Sequence, residues 1–127
     1  MLSNPVSNQA RQQAARFRRL AVTAARAADD KKGEDIVLLH IRPVSELADY
    51  LLIVGVASPN HLSAIEESVR LALKAEGLHA EHRDGRLSDQ WRVLDYGGLL
   101  VHMMHPRARE FYSIEKIFRG ARAVDWR

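Results

Sequence analysis

Apolar residues recur at helical spacing near the start of the chain and then give way to strand-like runs. Placed at 100° per residue, seven apolar positions share one face of a helix, and five arginines lie on the other face. The apolar set is Ala10, Ala14, Phe17, Leu20, Ala21, Ala24 and Ala28. The pattern predicts a basic amphipathic helix over residues 10–30, preceded by a flexible segment over residues 1–9. Two β-branched and aliphatic runs follow it, Ile36–Ile41 and Tyr50–Val56, which predict buried strands.

A second helix is predicted directly after the strand Tyr50–Val56. Ser58 is a good N-cap, Pro59 suits the first helical position, and Gly77 suits the residue just past the end. A short strand near Leu78–His82 then completes a predicted strand–helix–strand unit. The buried stripe of the helix is predicted to be Leu62, Ile65, Val69 and Leu73.

The segments Trp91–Tyr96 and Leu99–Met104 flank a two-glycine loop and therefore predict a β-hairpin. A two-residue loop sets the register, placing Asp95 opposite Leu100 and Val93 opposite His102. One predicted face carries Trp91, Val93, Asp95, Leu100, His102 and Met104, and the other carries Arg92, Leu94, Tyr96, Leu99, Val101 and Met103.

Asp95 and His102 are diagonal neighbours on the first of these faces, within reach of each other. A carboxylate in that position can orient an imidazole. The alternative is that both are ordinary structural polar groups near strand ends.

A last helix is predicted from Pro106 to Arg119, closed by Gly120, and the tail 121–127 has no clear pattern. Together these elements predict one α/β domain over residues 1–127. Its fold class is a mixed β-sheet with helices on both faces.

Composition limits what such a domain can do. The 127 residues include no cysteine, which excludes disulfides, thiolate catalysis and cysteine-based zinc sites. No apolar run approaches the roughly 20 residues of a membrane span, so no membrane partner is expected. A cytoplasmic location is predicted; an arginine-rich start is also typical of organellar transit peptides, so an organellar location is the alternative.

Charge is concentrated near the start of the chain. Residues 1–28 hold five arginines and no acidic residue, and the remainder holds 14 basic against 16 acidic residues. Any nucleic-acid contact is therefore expected on the first helix. A solvated helix face is the simpler interpretation.

The hairpin is rich in Trp, Tyr, Met and His and poor in Lys, a composition typical of protein interfaces. Its sequence Trp-Arg-Val-Leu-Asp-Tyr-Gly-Gly-Leu-Leu-Val-His-Met resembles the W-V-L-L-D-Y-G-D-V-V-V-H-x-F pattern of the ribosomal silencing factors, also called Iojap-like proteins. Further segments are similar to family motifs at compatible spacing: Asp49–Ile53, Ser58–His61, Asp84-Gly85 and Arg109–Ile117.

The chain departs from the family pattern at three hairpin positions. Gly98 stands in place of an acidic turn residue, Arg92 in place of an apolar residue, and Met104 in place of an aromatic one.

The resemblance implies a function that composition does not show. It implies a protein that binds the large ribosomal subunit through ribosomal protein L-fourteen and sterically blocks joining of the small subunit. It also implies a nucleotidyltransferase-like fold without catalytic residues, and a homodimer when no ribosome is bound. Neither a cofactor nor a small-molecule substrate is expected.

A nucleotidyltransferase would need closely placed carboxylates that hold Mg²⁺. The turn 55–58 partly matches the expected glycine–serine turn, but Glu66 and Glu67 are adjacent in a helix and point about 100° apart. Asp84 and Asp89 lie in a predicted loop. The sequence therefore predicts no catalysis.

Two His-x-x-His spacings, at 79/82 and 102/105, suggest zinc at first sight. Residues i and i+3 of a strand point to opposite faces, so neither pair is a natural chelate. No metal site is predicted.

The partner-binding residues are expected to lie on the hairpin and the start of the last helix: Trp91, Leu94, Asp95, Tyr96, His102, Arg109, Tyr112 and Ser113. Trp91 and Tyr112 would supply apolar area, and Asp95 and Arg109 charge-assisted hydrogen bonds. Plain core is the alternative for Leu94 and Phe111. The alternative function is an RNA-binding or ribosome-assembly accessory module that uses the arginine helix, with an accessory contact to ribosomal RNA.

Overall fold

The computed structural model describes the backbone of residues 5–127 and the side chains of residues 8–110 and 112–127. Within that part of the chain, helices and strands follow one another in this order: α1 (Pro5–Asp30), β1 (Glu34–His40), β2 (Tyr50–Gly55), α2 (Pro59–Ala75), β3 (His82–Asp84), β4 (Trp91–Asp95), β5 (Leu99–Met104), α3 (Pro106–Tyr112), α4 (Ile114–Ile117) and β6 (Arg122–Ala123).

The strands form one mixed sheet in the order β3-β4-β5-β2-β1-β6. β2 and β5 run parallel, and the other neighbours are antiparallel. One face of the sheet packs against α1 and α2, and the other packs against α3 and α4. The predicted fold class, a mixed sheet with helices on both faces, is therefore confirmed.

α1 begins at Pro5, five residues earlier than predicted, and ends at Asp30 as predicted. Residues 1–4, part of the segment predicted to be flexible, lie outside the described residues. The apolar face of the helix is buried only in its second half. Ala10 is exposed, Phe17 packs partly against the core, and the apolar face is fully buried from Leu20 onward. The second half of α1 is thus a core helix, and the first half extends beyond the sheet.

α2 begins as the sequence predicts. The Ser58 side chain accepts a hydrogen bond from the His61 backbone N–H at 3.1 Å, as an N-cap should. The His61 ring accepts the Ala57 N–H through Nδ1 at 2.9 Å, and its Nε2 lies 2.8 Å from the Lys31 carbonyl oxygen. The His61 ring therefore links the start of α2 to the end of α1 through hydrogen bonds. The predicted buried stripe is confirmed.

The strand after α2 is shifted from its predicted place. It was expected near Leu78–His82, but β3 spans His82–Asp84 and forms the sheet edge against β4. β4 and β5 lie between β3 and β2, so the connection crosses two strands. The position of a three-residue edge strand depends on the strand it pairs with, and so short a segment shows little hydrophobic alternation in the sequence.

The hairpin register is confirmed at each predicted pair, including Val93 opposite His102 and Asp95 opposite Leu100. The division into two faces follows from it. Leu94 and Val101 pack in the cluster beneath α1 and α2, whereas Trp91 and Leu100 contact the cluster beneath α3 and α4.

The end of the chain departs from the prediction twice. The helix expected from Pro106 to Arg119 is interrupted at Ser113, which adopts the left-handed conformation with φ 47° and ψ 48°. The tail expected to lack structure instead forms β6 and buries Val124 and Trp126. The Arg26 side chain donates to the Trp126 carbonyl at 3.1 Å, a contact across 100 residues that local sequence cannot reveal.

Candidate functional site

One part of the sheet is left incompletely covered. α3 and α4 cover β1 and β2 over Ile41, Leu51 and Ile53, which are fully buried. On β4 and β5 the same face is half-buried, except at Met104, which is fully buried. We call this surface the Trp91 face; it consists of Trp91, Val93, Asp95, Leu100, His102 and, from α3, Tyr112.

Three rings meet at the centre of the Trp91 face. The Trp91 indole Nε1–H donates to Nδ1 of His102 at 3.0 Å. The Tyr112 ring lies against the indole, with centroids 4.6 Å apart and planes inclined by 45°. Tyr112 is 52% exposed, so the aromatic pair combines a fixed indole with an accessible phenol.

His102 fixes the indole as a neutral acceptor. Because its Nδ1 accepts the indole proton, the neutral ring carries its own proton on Nε2. Burial disfavours the imidazolium and lowers the pKa of His102 from 6.5 to about 4. The acceptor state is therefore retained across the neutral pH range.

Asp95 does not orient the imidazole; the alternative, a structural polar group near a strand end, is confirmed. Its Oδ1 accepts the backbone N–H of Gly97 at 2.8 Å and thereby stabilises the hairpin turn. The hydrogen-bond partner of His102 is Trp91. The carboxylate remains half-buried at the rim of the Trp91 face.

Arg109 connects the two short helices on either side of Ser113. Its Nε donates to Glu115 Oε1 at 2.8 Å, and its Nη1 is buried without a hydrogen-bond partner among the described residues. Burial acts to raise the pKa of Glu115, but the Arg109 hydrogen bond and charge outweigh it and lower that pKa. Ser113 ends α3, and its hydroxyl donates to the Glu110 carbonyl at 2.7 Å. These hydrogen bonds hold together the junction of α3 and α4, the segment that carries Tyr112.

Two predicted site residues belong to the core. Leu94 is fully buried and Tyr96 is 2% exposed, both on the sheet face that α1 and α2 cover. Alternation along β4 points them away from Trp91. The alternative for Leu94, plain core, is therefore confirmed, and Tyr96 lies in the same core instead of on an exposed partner surface. Phe111, whose core role was the other alternative, has a side chain outside the described residues.

An ion-pair network on the opposite face was missed by sequence reasoning. Glu66 of α2 is 7% exposed, and its Oε1 accepts from Arg83 Nη2 at 2.7 Å. Arg92 Nη1 lies 3.9 Å from its other oxygen. The replacement of an apolar family residue by Arg92 was the available signal, because a buried arginine requires a carboxylate.

The two histidines of the 102/105 spacing have structural partners. His102 holds Trp91, and His105 caps α3 by accepting the Arg107 N–H at 3.2 Å. Within the described residues, no group of three or more histidines and carboxylates is placed to hold a metal ion. None of the described helices has the length and apolarity to cross a membrane.

Comparison with known proteins agrees with this architecture. The family model "Ribosomal silencing factor during starvation" matches residues 14–127. The ribosomal silencing factor of Bacillus subtilis is 32% identical over 102 residues, covering 80% of this chain and 86% of that protein. A mouse protein named "Mitochondrial assembly of ribosomal large subunit protein 1" is 29% identical over 69% of this chain and 40% of its own length.

A crystal structure of a Chromobacterium violaceum protein is similar in fold. It superposes with a TM-score of 0.78 at 29% sequence identity and covers 81% of this chain and 86% of that one. The family match spans nearly all of the chain and includes both the hairpin and the last helices. This chain therefore belongs to the ribosomal silencing factor family, whose members are ribosome-associated regulators of translation.

Proposed function

We propose that this protein binds the large ribosomal subunit through ribosomal protein L-fourteen and blocks joining of the small subunit by steric exclusion. The observation that carries the proposal is the Trp91–Tyr112 pair, an aromatic anchor held in place by His102 on an incompletely covered sheet face. Such anchors dominate binding energy in protein interfaces. Steric exclusion needs no turnover.

The names of the relatives support the same partner. The bacterial relatives are called silencing factors, and the mouse relative is named for assembly of the large ribosomal subunit. By analogy, the large subunit is the partner proposed here. We propose that the compartment is that of the ribosome it binds: the cytoplasm, with an organelle as the alternative.

We propose two groups among the interface residues. Trp91 and Tyr112 would touch the partner directly, because both reach the surface. His102, Arg109 and Ser113 would act through them, since their hydrogen bonds are made within the chain. Asp95 at the rim remains available for a charge-assisted contact through Oδ2.

The test is co-sedimentation with purified large subunits, followed by a subunit-joining assay. Tyr112→Ala and Trp91→Ala are expected to weaken binding by about tenfold or more and to restore joining, as loss of an aromatic anchor does. Leu71→Ala is the matched control, because Leu71 is 57% exposed on α2 and lies over the opposite sheet face. Unhindered joining at saturating wild-type protein contradicts the proposal, as does equal loss of binding in the control.

We further propose that free protein forms a homodimer through the Trp91 face. Trp91, Val93, Leu100 and Tyr112 form one apolar patch that a second copy would cover. Analytical ultracentrifugation should show a concentration-dependent dimer that Tyr112→Ala weakens, and added large subunits should dissociate it. A dimer unaffected by Tyr112→Ala contradicts this arrangement.

An accessory contact to ribosomal RNA is proposed for the first half of α1. Arg11, Arg18 and Arg19 are exposed, and the structure gives none of them an ion pair with a described residue. Replacing all three by Gln should make the slope of log K against log salt concentration less steep for large-subunit binding. The expected change in slope is roughly 0.7 per lost phosphate contact. Replacing exposed Arg107 and Arg119 is the control. An unchanged slope contradicts the contact.

A further inference from the structure

A cleft lies on the sheet face opposite Trp91. It has a volume of about 250 Å³ and opens between the second half of α2 and the β3–β4 edge. Arg70 and Lys74, one helical turn apart on α2, form one wall with Glu67. Arg83 of β3 and Tyr96 at the end of β4 form the other wall, and His79 lies on the connecting loop. We call it the Tyr96 cleft.

The tyrosine is the unusual member of this cleft. Tyr96 is 2% exposed, yet the structure gives its hydroxyl no hydrogen bond with any described residue. Burial raises the pKa of Tyr96 to about 12, although the charges of Arg70 and Arg83 act in the opposite direction. The phenol therefore keeps its proton and presents an unused donor among cations.

The positive charges of the cleft are incompletely neutralised. Neither Arg70 nor Lys74 forms an ion pair with a described residue. Arg83 donates one Nη2 bond to Glu66, and its Nε is buried without a hydrogen-bond partner in the described part of the chain. Glu67 is the carboxylate that lines the cleft, so Arg70 and Lys74 leave an excess of positive charge.

We propose that the Tyr96 cleft binds a phosphate group, with the Tyr96 hydroxyl and the Arg70 guanidinium as direct donors and Lys74 supplying charge. The donors come from a helix and from the end of a strand, and converge from different directions. This arrangement suits a tetrahedral oxyanion, which accepts hydrogen bonds on every side, better than a planar carboxylate. The phosphate belongs either to a small phosphate monoester or to an RNA backbone.

The site is independent of the proposed docking surface. The sheet separates it from Trp91, so that both surfaces can be occupied together. The proposal does not rest on the binding of L-fourteen and can fail or succeed separately from it.

Phosphate titration of the full-length protein, followed by amide NMR at constant ionic strength with chloride as the reference anion, tests the proposal. Saturable shifts are expected at residues 70–83 and 96. Tyr96→Phe and Arg70→Gln should each weaken phosphate binding by about tenfold or more, as loss of a hydrogen bond to a charged group does. Arg107→Gln, an exposed arginine on α3, should leave binding unchanged.

Two further titrations distinguish the source of the phosphate. Adenosine monophosphate and a short RNA with a 5′-hydroxyl end are compared with inorganic phosphate. Each probe is titrated into the wild type and into Arg70→Gln. Stronger binding of the monophosphate assigns the cleft to a small ester, and stronger binding of the RNA assigns it to a backbone. Absence of saturable shifts at the cleft with all three probes overturns the proposal. So does an Arg70→Gln variant that binds as the wild type does, even if Tyr96→Phe fails to fold.

Discussion

The indole N–H of Trp91 donates to Nδ1 of His102 at 3.0 Å, joining two residues of adjacent strands on one face of the sheet. A tryptophan at the surface would otherwise sample several rotamers. This hydrogen bond and the Tyr112 ring restrict it to one orientation. Preorganisation of this kind lowers the entropic cost of binding a partner.

The hydrogen bond predicts a dependence of stability on pH. Burial lowers the pKa of His102 from 6.5 to about 4, so below pH 6.5 the unfolded chain takes up a proton that the folded chain does not. The free energy of unfolding should therefore fall as pH drops from 6.5 to 4 and level off below. The contribution is at most about 3 kcal/mol, at about 1.4 kcal/mol per pKa unit.

Urea denaturation at pH 7, 5.5 and 4 measures this effect by comparing the wild type with His102→Gln. Other groups titrate in the same window, so the difference between the two proteins is the informative quantity. The free energy of unfolding of the wild type minus that of His102→Gln should become smaller as the pH falls. His79→Gln, at an exposed loop position, should follow the wild type. A difference that is constant with pH would mean that His102 titrates normally.

Gly98, which stands in place of the family's acidic turn residue, predicts a packing conflict when it is replaced. A Cβ at this position would lie 2.6 Å from ring atoms of Phe17, which comes from α1. Gly98→Ala should reduce the free energy of unfolding by about 1–3 kcal/mol, the usual cost of overpacking. Combining it with Phe17→Ala should cost less than the sum of the two single changes.

Gly77→Ala provides the contrast for that experiment. Gly77 has φ of 80° and open space around an added Cβ, so its replacement tests backbone strain without a clash. The expected cost is about 1 kcal/mol, and Phe17→Ala should not relieve it. Relief by Phe17→Ala at both glycines would contradict the packing explanation.

The Glu66 network predicts a large effect from a change that removes one charge. Glu66→Gln leaves Arg83 and Arg92 without their shared carboxylate. We expect a loss of about 3 kcal/mol in the free energy of unfolding, because an unpaired cation remains partly buried. The neighbouring Glu67→Gln is the control, since Glu67 is exposed and should change stability by less than about 0.5 kcal/mol. Equal small effects would show that the network is dispensable.

Much of the site geometry followed from local sequence. The hairpin register came from two glycines between alternating strands, because a two-residue loop allows one pairing. The cap and stripe of α2 followed from Ser58 and a 3.6-residue repeat. These features depend on neighbours along the chain, which the sequence contains.

Contacts between distant segments were decided by the tertiary structure. Which hairpin face is covered depends on where α1 and α2 pack, so Leu94 and Tyr96 became core residues while Trp91 and His102 remained near the surface. The break at Ser113 requires a left-handed residue that no glycine marks.

The sequence by itself determined that this chain is an α/β domain with an aromatic hairpin at one exact register, because alternation and turn chemistry are local. The tertiary structure alone decided that His102 holds Trp91 and Asp95 holds the turn. It also decided that Tyr96 lines the cationic Tyr96 cleft. The first two depend on which of several reachable partners comes within hydrogen-bonding distance. The third depends on where α2 packs against the edge of the sheet.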